Sequence, residues 1–226
     1  MSQFNLVKDS ANIVITGNFN PSIFHPLWFS KHNLLPERHC DAADIEVIHK
    51  EVAHMKIDWL NLQVTHDRAM FSTSDATQFE QLRDLVVSVL NILDETPLTQ
   101  FGVNREMEFK FEETSDWHKI GHTLAPKEVW MNSIADTKEK DCGLNKLVIQ
   151  IRHDTDFPAT IMNLTISPTK MNHVHFGVNN HFELKGILDK DPEFDISTFM
   201  QEHWESIILK SHDTVLNAVI HILSED

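Results

Sequence analysis

FGVNREMEFKF, residues Phe101–Phe111, decides how this chain folds. Successive side chains of an extended strand point to opposite faces. Phe101, Val103, Met107, Phe109 and Phe111 therefore share one side, and Asn104, Glu106, Glu108 and Lys110 the other, with Arg105 interrupting the apolar row. Such alternation belongs to an antiparallel sheet with one packed face and one wet face. The packed face then needs helices over it.

Working outward, the chain spells one order of elements twice. Asn12–Phe19 reads as a strand, closed by Gly17 and the Asn20-Pro21 turn signal. SIFHPLWFSKHNLL at Ser22–Leu35 is interrupted by Pro26 and stopped by Pro36, which suits short helical turns. A weak strand region covers Ile45–Ile57, and Trp59–Thr65 and Arg68–Thr73 follow as a hairpin across His66-Asp67. Asp75 with Gln78, or Thr77 with Glu80, caps a helix over 77–94 whose Phe79, Leu82, Val86, Val89 and Leu93 form one face. The order restarts at Phe101. A helical stretch at Ser115–Trp130 leads to strands at Leu147–Arg152, Ala159–Ile166 and His173–Leu184. Asp195 caps a last helix, with a break expected near Ser211-His212-Asp213.

The expected fold is α+β: a duplicated β-α-β-β-β-α unit, residues 1–96 and 97–226, packed as one pseudo-twofold domain. Its helices would cover one face of a curved antiparallel sheet. Two internal matches compete as markers of the repeat. NLQVTHDRAM at Asn61 resembles NLTISPTKM at Asn163, whereas FGVNREMEFK at Phe101 and FGVNNHFELK at Phe176 agree at six of ten positions. The order of elements favours the first. It resembles the saddle of the TATA-box-binding fold and of duplicated small-molecule-binding regulators, in element order only. Trp28, Trp117 and Trp130, with Phe24 and Phe29, are expected to pack the two halves together.

GNFNPSIFHPLWFSKHNLL and TPLTQFGVNREMEF, at the strand starts and the Asn-Pro and Trp positions, resemble a sporadically distributed prokaryotic family of uncharacterised proteins. The resemblance implies a prokaryotic, cytoplasmic or mobile-element origin and transfers no activity.

Composition narrows the function classes. A formal charge of −15 repels a phosphate backbone, so nucleic-acid binding by direct phosphate contact is not expected. No apolar run reaches membrane length, and MSQFNLVKDSANIVITG lacks the pattern of a secretory signal, so a cytoplasmic, non-membrane protein is expected. Cys40 and Cys142 have no CxxC partner, which fits a reducing compartment and idle thiols. GxGxxG, Walker, GxSxG and CxxC patterns do not occur, so the reading leans away from an enzyme and expects no cofactor.

The wet sheet face is the place to look for a site. His173, His175, Asn179, His181 and Glu183 alternate away from Val174, Phe176, Val178, Phe182 and Leu184. Glu106 and Glu108 fall on that face if the two strands share a sheet, and Asn61, Gln63, Asn163, Thr165 and Arg152 extend it. His173, His175, Asn179, His181, Glu183, Glu106, Glu108 and Arg152 are thus the candidate ligand-binding set. An ordinary solvated face accounts for the same residues more plainly. Two histidines two apart on a strand also suit a metal, as does the His118-x-x-x-His122 pair, although Lys119 stands where a zinc protease needs Glu and Gly121 weakens the helix. The leading expectation is a non-enzymatic protein acting through a partner protein, self-association or a larger assembly. A small-molecule-binding module on the polar face comes second, and a metal-dependent hydrolase third.

Overall fold

The computed structural model describes residues 4–134, 142–152 and 160–224. In chain order the elements are β1 (Phe4–Gly17), α1 (Pro26–Lys31), α2 (Glu37–Asp41), β2 (Asp44–Ile48), β3 (Val52–Ile57), β4 (Leu60–Thr65), β5 (Arg68–Thr73) and α3 (Phe79–Ile92). There follow β6 (Leu98–Phe111), α4 (Thr114–Leu124), α5 (Lys127–Ser133), β7 (Leu147–Arg152), β8 (Thr160–Lys170), β9 (His173–Glu183), α6 (Leu184–Leu188) and α7 (Ile196–Ser224). The architecture is α+β, as expected. Among the described residues nine strands form one open sheet in the order β2-β3-β4-β5-β1-β6-β9-β8-β7, and every neighbouring pair is antiparallel.

Alternation sets the two faces. Ile13, Ile15, Leu60, Leu62, Val64, Phe71, Phe101, Val103, Phe109, Phe176 and Phe182 are buried on the inner face. Buried residues of α1–α4, α6 and α7 join them, among them Phe29, Cys40, Leu82, Ile120, Ile187 and Trp204. This burial is the main favourable term in folding. The inner side divides into two clusters, one led by the first-half strands with Phe101, Phe182 and Trp204, the other by Met107, Phe109, Phe176, Val215 and Val219.

Arg105 explains the division. Its side chain enters the inner row and pairs with Asp9 through Nε–Oδ1 at 2.9 Å and Nη2–Oδ2 at 2.6 Å. Its Nη1 donates to the Ile208 carbonyl of α7 at 3.0 Å, and the guanidinium lies over the Phe79 ring. Next to it Asn180, in the inner row of β9, donates to the Val103 carbonyl and to Ser211 Oγ, both at 3.0 Å. A charge among apolar neighbours is tolerated when it is paired in this way.

Several expectations are corrected. Ile45–Ile57 is two strands, because the His49–Glu51 turn and a bulge between Ile45 and Val47 break the alternation; the first helices are thus followed by four strands before α3. The last helix does not break at Ser211, whose hydroxyl donates to the Ile207 carbonyl at 2.7 Å and leaves the helix continuous. Strand β9 stops at Glu183, and Leu184 opens α6 as a buried helical residue. The strand expected from Ala159 is seen from Thr160, Ala159 itself lying outside the described residues. Of the aromatic residues expected between the halves, Phe24 and Phe29 are buried, with Trp28 packed beside them, in the first cluster, which also holds Phe101 and Trp204; Trp117 borders the second cluster, and Trp130 is 54% exposed.

Local signals hold where a backbone group needs a partner. Asn20 Oδ1 accepts from Ser22 N at 3.1 Å ahead of Pro21. Asp75 Oδ1 accepts from Thr77 N at 2.9 Å at the turn leading into α3, and Asp195 Oδ2 accepts from Thr198 N at 2.6 Å at the start of α7.

Candidate functional site: the outer sheet face

The described helices leave the outer face of the sheet to its own side chains. Strand register places a row of polar residues straight across it. Lys56 is opposite Asn61, Asn61 opposite Ser72, Ser72 opposite Asn12, Asn12 opposite Asn104, Asn104 opposite Asn179, Asn179 opposite Asn163, and Asn163 opposite Gln150. From β1 to β7 the amides are hydrogen-bonded head to tail. Asn104 Nδ2 donates to Asn12 Oδ1 at 2.6 Å, Asn179 Nδ2 to Asn104 Oδ1 at 2.6 Å, and Asn163 Nδ2 to Asn179 Oδ1 at 3.2 Å. Gln150 Nε2 donates to Asn163 Oδ1 at 3.0 Å, and Arg152 Nε to Gln150 Oε1 at 2.8 Å.

The sequence-derived set lies on this face, but much of it is occupied with itself. His173 Nδ1 meets Glu108 Oε1 at 2.7 Å, with the two side chains only 12% and 18% exposed. His175 Nε2 stands 3.7 Å from Glu106 Oε2. The Glu106 carboxyl is held below its ordinary value, first by hydrogen bonding from the His175 ring; partial burial opposes this, and the charges of His175 and Lys8 add to it. Asn179 and Arg152 belong to the amide row. His181 lies opposite Gly102 and Glu183 opposite Gln100, towards the other end of the strand, apart from the two His–Glu pairs. The predicted residues thus share a face, and only the two pairs form a compact cluster.

The open space is on the other wing. A groove of about 560 Å³ crosses β2–β5 and β1 and reaches Glu106 on β6. Lys8, Asn12, Lys56, Trp59, Asn61 and Ser72 are among its lining, with Asp44, Glu46 and His54 on the β2 side. His54 Nδ1 pairs with Glu46 Oε2. Lys56 and the Asn61 amide make no side-chain hydrogen bond to the described residues. Sequence reasoning named Glu106 in the candidate set and Asn61 as an extension of the face, and missed the other groove residues. Their one signal is parity, because Lys8, Asn12, Asn61 and Ser72 all alternate away from the buried rows.

The metal readings find little geometry. Among the described residues no group of three or more His, Cys, Asp or Glu is arranged to hold an ion. His118 and His122 do lie on α4, with ring centroids 6.0 Å apart. Burial pushes the Cys40 thiol up, and the charges of Asp41 and Glu37 push further, opposite to what a thiolate nucleophile needs. Among the described residues no helix is long and apolar enough to cross a membrane.

No protein-family model matches the chain, and no curated protein matches it.

Proposed function

We propose that this chain is a non-enzymatic binding protein whose outer sheet face takes a polar ligand in the groove over β1–β5. The observation that carries the reading is the groove itself, where Lys56 and the Asn61 amide are exposed and make no side-chain hydrogen bond to the described residues. Lys8 and Lys56 stand against Asp44, Glu46 and Glu106, so the lining is close to balanced in charge. Hydroxyls and amides supply donors and acceptors together. That chemistry suits a neutral or zwitterionic molecule rich in hydroxyl or amide groups better than a phosphate or a metal ion. Native mass spectrometry of the isolated chain, set against its denatured mass, tests it. An extra mass released on denaturation, and absent from Asn61→Leu with Lys56→Ala, is expected. A wild-type chain with no releasable mass overturns the reading.

The alikeness of the two wings supports a duplicated unit under the same proposal. Asn61 on β4 and Asn163 on β8 hold matching places, two strands out from β1 and β6. The FGVN segments, by contrast, sit on the paired neighbours β6 and β9, where Asn104 faces Asn179.

Association with a protein partner stands as a second reading, favoured by the β7 edge. There Val148, Ile149 and Ile151 are 52%, 38% and 41% exposed.

A further inference from the structure

The two edges of the sheet differ in kind. Edge strands present unpaired N–H and C=O groups, and proteins blunt them with charges and bulges. Strand β2 is blunted: Asp44 and Glu46 flank Ile45, and a bulge lies between Ile45 and Val47. Strand β7, LVIQIR, is not. It keeps unbroken register with β8 from Leu147–Ile166 to Arg152–Ile161, contains no proline, and has its one charge at the last residue. Apolar side chains emerge from both of its faces, Val148 outward and Ile149 and Ile151 inward.

We propose that β7 is the docking edge for a second copy of this chain, paired antiparallel about a twofold axis so that two sheets become one. The proposal rests on the reading of β7 as an interaction edge and names its partner. Three observations select a second copy. First, opposed residues of an antiparallel pair share a face, so β7 can pair with itself in register. With Gln150 opposite its own equivalent, Ile149 meets Ile151 and Val148 meets Arg152, and Arg152 does not face Arg152. Second, the amide row ends at this edge on Gln150, and an identical glutamine is a group that can extend it. Third, copies carrying −15 each repel at long range, so contact is least opposed where carboxylates are missing. From Cys142 to Arg152 the chain has no acidic residue and two basic ones, Lys146 and Arg152. A twofold contact of this kind closes on itself and makes dimers, not filaments.

Light scattering of the full chain during size exclusion, at up to about 100 μM, tests the proposal. The expected mass is twice 26.1 kDa. Val148→Lys and Ile151→Lys are expected to raise the dimer dissociation constant at least about tenfold, while Val47→Lys on the β2 edge leaves it unchanged. Circular dichroism checks folding; if Ile151→Lys does not fold, Val148→Lys on the outer face decides. A dimer indifferent to the β7 variants overturns the proposal. So does a wild-type monomer, and its two forms are distinguishable. A monomer that co-purifies with a different chain keeps the interaction reading and removes the second copy; a monomer without any partner removes both.

Discussion

The two wings of the outer face use similar side chains to opposite ends. On β6–β9 the imidazoles, carboxylates and amides are turned on one another, His173 on Glu108 and Asn179 between Asn104 and Asn163. On β2–β5, Lys56 and Asn61 are left open over a groove. A cluster of distinctive residues is therefore no guide to where a ligand sits. Polar groups that satisfy one another hold the sheet in register, and those left open are available for binding.

Substitutions can break this contrast, and the largest effect belongs to a reference on the inner face. Asp9→Ala strips Arg105 of its bidentate partner at a position where the two side chains are 13% and 11% exposed. Leaving a buried charge uncompensated is expected to destabilise the fold by about 3 kcal/mol, read as a lower urea midpoint at unchanged slope. A loss under about 1 kcal/mol would mean that water already reaches the pair.

The wings themselves separate next. Asn179→Ala removes one donor and one acceptor contact from the amide row, a loss of about 1–2 kcal/mol. Asn61→Ala, from the same row on the groove wing, is expected to stay within about 0.5 kcal/mol of wild type, although it weakens ligand retention. Equal losses at the two positions, by thermal or urea melts, would erase the difference between the wings.

The smallest effect is pH-linked. Because the folded state lowers the Glu106 carboxyl, that group adds stability above its unfolded value and loses it as pH falls through the folded value. His175→Ala removes the first cause. The variant should be slightly less stable than wild type near neutrality, and the gap should close below the ordinary carboxylate range of about pH 4. Urea melts at pH 6 and pH 3 check this, and a gap that is the same at both sinks the assignment.

Much of the architecture is legible in the sequence because strand parity is a local property. Phe101–Phe111 and His173–Glu183 assign their side chains to faces without knowledge of any neighbour. The β2–β3 hairpin is not legible, since a bulge and a short turn scramble the alternation on which the reading depends. Arg105 looks like an error in an apolar row until Asp9, from a strand 96 positions away, is placed beside it. The groove escapes for the same reason. Lys8, Lys56 and Ser72 are ordinary surface letters, and only the strand order brings them together.

The row of side-chain amides also has a polarity. Every donor in it points towards β1, beginning with the cationic Arg152 at the sheet edge and ending on the Asn12 oxygen beside the groove. Hydrogen bonds aligned in a chain polarise one another, by about 10–30% per bond. Asn12, which lines the groove, therefore stands at the end of a polarised row that begins with a charge four strands away. The row links the rim of the sheet to the groove lining through side chains alone, so a change at Arg152 is expected to reach Asn12 as a change in polarisation.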